Sequence, residues 1–211
     1  RWKKKMGRPK DFEDIRLMKE YLRKENYKNL LIEIRKILKN QSNSKVKESI
    51  KKFVAPLEKV YGVKTPVLNE ISNRFRCGGF ELVEILWKSG SFEEKIVAAK
   101  ILGKICNNNP EKTLELIKKF SRGISDWAVC DSLATQGVRK IAKIKQKEIF
   151  ELSKKLIKSK NFWQRRFGIV LLLNLKKEKS SKKEIEKIIK DVEKDKEYYV
   201  KKAVEWIKRK F

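Results

Sequence analysis

The sequence predicts an all-α chain, an α-solenoid of stacked HEAT-like helical pairs forming a curved, concave groove. Three observations carry that expectation. Glycine and proline are scarce, at 9 and 4 of 211 residues, which leaves helix breakers only enough room for turns. Apolar residues recur at three- and four-residue spacing, as in Leu30, Leu31, Ile34, Ile37 and Leu38, and no stretch alternates as a strand does. Finally, an aromatic residue returns at a fixed interval. Phe92, Trp127, Phe162 and Tyr198 are 35, 35 and 36 residues apart, the length of a two-helix repeat whose neighbours must stack to share a core.

Taken in order, the chain opens on a basic stretch, Arg1 to Lys10, expected to be a flexible tail. Within it Gly7-Arg8-Pro9 matches the core of the AT-hook, a minor-groove tripeptide, but a single copy beside Met6 reads more simply as basic tail. Met6 also fits a natural start, with Arg1 to Lys5 added. Residues 11–211 are expected to form a single domain. Short polar turns fall at Asn40 to Ser44, Cys77-Gly-Gly, Asn107 to Pro110 and Glu178 to Ser181. Each repeat aromatic follows a residue able to cap a helix: Ser91, Asp126, Asn161 and Glu197. Ser91 with Glu94, and Asn161 with Gln164, have the spacing of a capping box. Apolar helices are expected over Ile96 to Ile105, Val129 to Ala134, Phe167 to Leu175 and Val200 to Ile207. Second helices lie between them, over Glu111 to Phe120, Lys147 to Ile157 and Lys183 to Val192.

Charge narrows the function. Lysine and arginine number 55 against 27 acids, a formal charge of +28. Such an excess points to a polyanionic partner, nucleic acid first and an anionic membrane second. A high-temperature composition would raise glutamate alongside lysine, and here it does not keep pace. There is no histidine, which removes histidine acid–base catalysis, Ser-His triads and most zinc sites. Cys77, Cys106 and Cys130 are scattered without a C-x-x-C pair, and read as buried reduced thiols. No apolar run spans a bilayer, so the protein is expected in the cytoplasm, associated with the nucleoid.

The repeat exposes one odd residue. Three and four positions past each aromatic stand Lys95-Ile96, Cys130-Asp131, Arg165-Arg166 and Lys201-Lys202. Every unit but one carries a cation there, and the exception carries Asp131. Trp127, one helical turn before it, shares its face. Two readings are open: a catalytic carboxylate in a phosphate-lined groove, or a first-turn carboxylate favoured by its helix dipole. Arg165 and Arg166 open an otherwise apolar helix. They either reach a phosphate or pair with a buried acid, for which Asp131 is the natural candidate. In the last helix Val200, Val204, Ile207 and Phe211 form a core stripe. Trp206 lies off it, on the side of Tyr199, Lys202 and Lys210, the composition of a nucleic-acid contact face.

Four segments bring these residues together: Tyr61-Gly-Val-Lys-Thr-Pro66, Asp126-Trp-Ala-Val-Cys-Asp131, Phe162-Trp-Gln-Arg-Arg166 and Glu197-Tyr-Tyr-Val-Lys-Lys-Ala-Val-Glu-Trp206. In them the chain resembles the HEAT-like-repeat DNA alkylation repair glycosylases, the AlkD type, over about residues 45 to 211. The resemblance implies hydrolysis of the N-glycosidic bond of N3- or N7-alkylated purines in duplex DNA, with the lesion left stacked. It implies Asp131, Trp127 and Trp206 as the catalytic set and Arg166 as a DNA contact; the residue pattern itself adds Arg165, Lys202, Tyr199 and Lys210 as expected DNA contacts. No cofactor or metal is expected. The expected partner is double-stranded DNA containing alkylated purines, met by a monomer without a membrane. Tyr61 to Pro66 reads as a structural turn opening a helix. The alternatives from other classes are a non-catalytic HEAT-repeat module for structured DNA or RNA, and a protein–protein scaffold.

Overall fold

In the computed structural model, residues 9–54, 59–175 and 179–210 are described, and among them every regular element is helical. The chain runs through α1 (Pro9–Asn40), α2 (Ser44–Phe53), α3 (Thr65–Arg74), α4 (Gly79–Lys88), α5 (Phe92–Ile105) and α6 (Pro110–Ser121). It continues through α7 (Trp127–Ser132), α8 (Ile141–Ile144), α9 (Gln146–Ile157), α10 (Phe162–Leu171), α11 (Lys179–Val192) and α12 (Tyr198–Lys208). Residues 1–8 and 176–178 lie outside the described residues; of the expected tail Pro9 and Lys10 open α1, and of the turn expected at Glu178 to Ser181 the residues from Lys179 open α11.

The helices pack as two layers. In one, α3 touches α5, α5 touches α7, α7 touches α10, and α10 touches α12. In the other, α4 backs α5, α9 backs α10, and α11 backs α12. This is the arrangement a 35-residue repeat demands. α5 and α10 are buried nearly all round because each is covered by the helix that precedes it, α4 or α9, and by a neighbour on either side in its own layer. Accordingly Val97, Ala98, Ile101 and Leu102 of α5 are fully buried, as are Phe167, Ile169 and Leu171 of α10. The second layer keeps one apolar stripe, as with Leu116, Ile117 and Phe120 of α6. Phe120 stacks on Trp87 of α4, with ring centroids 4.4 Å apart.

The four repeat caps stand where the spacing places them, as N-cap residues of α5, α7, α10 and α12. Asp126 accepts from the Val129 N–H at 2.8 Å, and Asn161 from Trp163 and Gln164 at 2.8 and 3.3 Å. Neither capping box closes. Glu94 turns away from Ser91 to bind Arg35, 59 residues earlier, at 3.0 Å. Gln164 instead accepts from the Ser159 hydroxyl at 2.6 Å, and that hydroxyl in turn accepts from the Asn161 N–H. Cys77 departs from its expected burial. It is exposed in the 3-10 turn Arg76–Gly78 between α3 and α4, whereas Cys106 and Cys130 are buried and free.

Only the C-terminal part of α1 joins the core. Ile34 and Leu38 are fully buried, while Phe12, Leu17, Met18 and Leu22 are exposed. No helix among the described residues is long and apolar enough to cross a membrane.

Candidate active site

Asp131 sits where the repeat's first helix changes its winding. The α-helix Trp127–Ser132 passes directly into a π-turn, Leu133–Gly137, a feature frequent at functional sites. A close approach helps hold the turn in place. A Cβ on Gly103 of α5 would lie 2.0 Å from the Gln136 carbonyl oxygen, so only glycine lets the two backbones meet. The Asp131 carbonyl accepts from the Thr135 hydroxyl at 2.7 Å.

The carboxylate is tied to the next repeat. Arg166, at the equivalent position of α10, donates from Nε to Asp131 Oδ1 at 3.1 Å and from Nη2 to Oδ2 at 2.8 Å. Its third nitrogen, Nη1, donates to the Tyr199 carbonyl of α12 at 2.6 Å. One guanidinium therefore links α7, α10 and α12, and Arg166 is itself only 5 % exposed. The fork geometry fixes the carboxylate plane as a lysine would not. Burial pushes the Asp131 carboxyl above its ordinary value of 3.8, against the lowering influence of Arg166. Beneath it, burial raises the Cys130 thiol well above its usual range, so Cys130 is an inert thiol.

Trp127 and Asp131 both line an open cavity of about 920 Å³. Its other walls come from Phe53 of α2, the Val63–Pro66 segment, Lys100 of α5 and Gln136. The Trp127 indole N–H donates to the Phe53 carbonyl at 2.9 Å, which docks the end of α2 against the site. Lys100 is 5 % exposed and, among the described residues, has no carboxylate partner. Its ammonium group donates to the amide oxygens of Asn69 (2.7 Å) and Gln136. Burial, followed by the Lys104 charge, lowers its pKa. Sequence reasoning passed over Lys100, yet it stands eight residues after Phe92, as Trp206 stands eight after Tyr198.

The remaining expected residues lie elsewhere on the same layer. Arg165 has every nitrogen occupied: Nε and Nη2 bind Asp195 at 2.7 and 3.2 Å, and Nη1 binds the carbonyls of Ser159 and Lys160. Tyr199 is half-buried, its ring 4.8 Å from that of Trp163. Lys202 is exposed, 3.0 Å from Glu205 and over the Tyr198 ring, and Lys210 is exposed. Trp206 is half-buried on α12, off the buried stripe of Val200, Val204 and Ile207, and does not line the Asp131 cavity. So the fold brings Trp127, Asp131 and Arg166 into one constellation. It sets Trp206, Lys202 and Lys210 apart on the last helix.

The two-layered helical fold and the charge of +28 define an all-α protein whose surface suits a polyanionic partner. The profile of one family, described as DNA alkylation repair enzyme, matches residues 34–211, and the chain belongs to that family. The match begins at Ile34, the first residue of α1 described as buried. Among curated proteins, none matches the chain.

Proposed function

We propose that the protein is a monofunctional DNA glycosylase that hydrolyses the N-glycosidic bond of N3- or N7-alkylated purines in duplex DNA. The observation that carries this reading is the Asp131 carboxylate, oriented by Arg166 and standing with Trp127 on an open cavity. Alkylation at N3 or N7 makes the purine cationic, so the leaving group needs no proton and the absence of histidine is no handicap. As the bond breaks, positive charge moves to the sugar, as in glycoside hydrolysis. Asp131 stabilises that charge and steers a water. The Trp127 face, joined by Trp206 from the last helix, offers cation–π contact. At about 4 Å and an effective dielectric near 20, a carboxylate contributes roughly 4 kcal/mol. In this reading the lesion stays stacked, and a monomer acts without a cofactor.

The direct test is release of 7-methylguanine from methylated duplex DNA, with uncatalysed depurination as the baseline. A second reading, a non-catalytic module for structured DNA or RNA, is favoured by the closed Asp131–Arg166 pair, which such a module would keep for stability. Binding without base release would select it.

Two further outcomes are expected. Duplex affinity should fall steeply with salt, because neutralising about six phosphates gives a log–log slope near −5. Lys202→Ala and Lys210→Ala should each flatten that slope by about one. A salt-independent affinity would remove DNA from the reading. Trp206→Ala should lower base release by about tenfold or more, yet destabilise by less than the roughly 3–5 kcal/mol of a core aromatic truncation. Melting and single-turnover excision decide between a contact face and a packing residue.

A further inference from the structure

We propose a second ligand site at the N-terminus of α5, separate from the Asp131 cavity, which takes a phosphate group. It is a cavity of about 470 Å³ whose lining includes Arg35 and Lys39 of α1, Lys59, Tyr61, Ser91 and Glu94. Tyr61 faces this cavity and Val63 the Asp131 cavity, so one short segment contributes a wall to each.

The unusual feature is Ser91. It is the N-cap residue of a 14-residue helix and only 3 % exposed. An N-cap serine ordinarily accepts a hydrogen bond from the second or third N–H of its helix. Here the side chain makes no capping bond, and its buried hydroxyl has no partner at all among the described residues. The helix start is open as well. The Phe92 N–H donates to the Lys59 carbonyl and the Lys95 N–H to the Ser91 carbonyl, while those of Glu93 and Glu94 have no described acceptor. A buried hydroxyl and two N–H groups at the positive end of a helix dipole are thus left without partners.

Charge selects the ligand. Among the described residues Glu94 is the one carboxylate of the lining, and both of its oxygens are committed. Oε1 accepts from Arg35 Nε and from the Tyr61 hydroxyl, each at 3.0 Å, and Oε2 from Arg35 Nη2 at 3.3 Å. The Arg35–Glu94 pair is therefore neutral, and Lys39 and Lys59 leave the lining net positive. Among the described residues a cation would find no uncommitted carboxylate here. The ligand has to be an anion that accepts several hydrogen bonds, and a tetrahedral oxyanion at a helix N-terminus does so. The volume admits a phosphate with a sugar attached. Its source is either a backbone phosphodiester of DNA or free phosphate.

The test uses the full chain and inorganic phosphate, with melting followed against chloride at matched ionic strength. Wild type should be stabilised saturably by phosphate. Ser91→Ala removes only an unbonded oxygen, so it should fold and melt slightly higher without phosphate. Its phosphate affinity should be weaker by about tenfold, the scale of one lost hydrogen bond to a charged group. Lys39→Gln should weaken the response without raising the melting point. No phosphate response in wild type, or an equal response in Ser91→Ala, would overturn the site. A duplex competition assay then identifies the source. Competition by phosphate that is lost in Ser91→Ala marks a backbone contact, and undisturbed duplex binding by the phosphate-loaded protein marks a free-phosphate site. Neither arm depends on base release, so failure of the glycosylase reading leaves this proposal testable.

Discussion

Asp131→Asn is expected to lower base release by about two to three orders of magnitude, with duplex affinity unchanged or tighter. The rate follows from removing about 4 kcal/mol of attraction for the developing sugar cation. Arg166 stands behind the carboxylate and opposes that cation, at roughly 8 Å with about half the strength. Its repulsion is present with or without the Asp131 charge, so it does not shrink the loss. It does predict that adding Arg166→Gln to Asp131→Asn restores about 2 kcal/mol, or some thirtyfold, if Asp131 acts on the substrate electrostatically. The affinity change follows from deleting a negative charge that faces phosphates. Stability should fall by less than the roughly 3–5 kcal/mol of breaking a buried pair, because asparagine keeps one oxygen for the Arg166 fork and burial already disfavours the charged carboxylate. Full activity in Asp131→Asn would end the glycosylase assignment.

The pH dependence has a definite sign. Burial, only partly countered by Arg166, raises the Asp131 carboxyl above 3.8, so base release should fall on acidification through a pH above that value. The folded state holds this proton more tightly than the unfolded chain. The stability penalty of the charged carboxylate is therefore fully present above the raised pKa and is relieved as pH falls toward 3.8. Asp131→Asn should lose this contribution and the acidic limb together. Asp126 shifts the same way, burial outweighing its capping bond and Lys95. Only the excision limb therefore isolates Asp131.

Local chemistry was readable from the sequence wherever its partner was near in the chain. The helix-period apolar pattern and the aromatic repeat were sufficient for the all-α fold and for the four N-caps, since a cap is settled within three residues. What escaped was settled by distant partners. Ser91 and Glu94 have capping-box spacing, yet Arg35 and Tyr61 draw Glu94 away. Cys77 is the local exception: three buried thiols are expected, and it lies at the surface in the Arg76–Gly78 turn. For Asp131 the repeat register did reach across 35 residues. The position that was odd in sign is the one that finds its counter-ion at the same register of the next helix, Arg166. No signal of that kind existed for Lys100, whose partners Asn69 and Gln136 are neutral amides. Nor was there one for Glu93, whose partners are backbone groups.

Glu93→Ala is expected to be among the most destabilising single substitutions in the chain, by about 4 kcal/mol. Glu93 is completely buried, and its carboxylate accepts three backbone N–H groups: Tyr61 at 3.0 Å, Gly62 at 2.7 Å and Val63 at 3.2 Å. This segment belongs to no helix, so the carboxylate stands in for the ladder that would otherwise satisfy it. Gly62 holds a φ of +85°, and a Cβ there would meet the Asn43 carbonyl oxygen at 2.6 Å. The turn is thus pressed against α2 in a conformation that glycine alone adopts readily. Removing the acceptor orphans three donors, two of them on buried residues, at about 1–3 kcal/mol each before the loop relaxes and water enters. For a domain of this size that lowers the melting temperature by roughly 8–16 °C. Glu93→Gln, which keeps one oxygen but turns an N–H₂ toward a donor, should fall between the alanine variant and wild type. The loss should extend to excision, because Val63, Lys64, Thr65 and Pro66 wall the Asp131 cavity although Glu93 does not touch it. Melting and base release measured on both variants give the answer. A Glu93→Ala protein within about 1 kcal/mol of wild type would mean that the Tyr61–Pro66 turn is held by α2 rather than by this carboxylate.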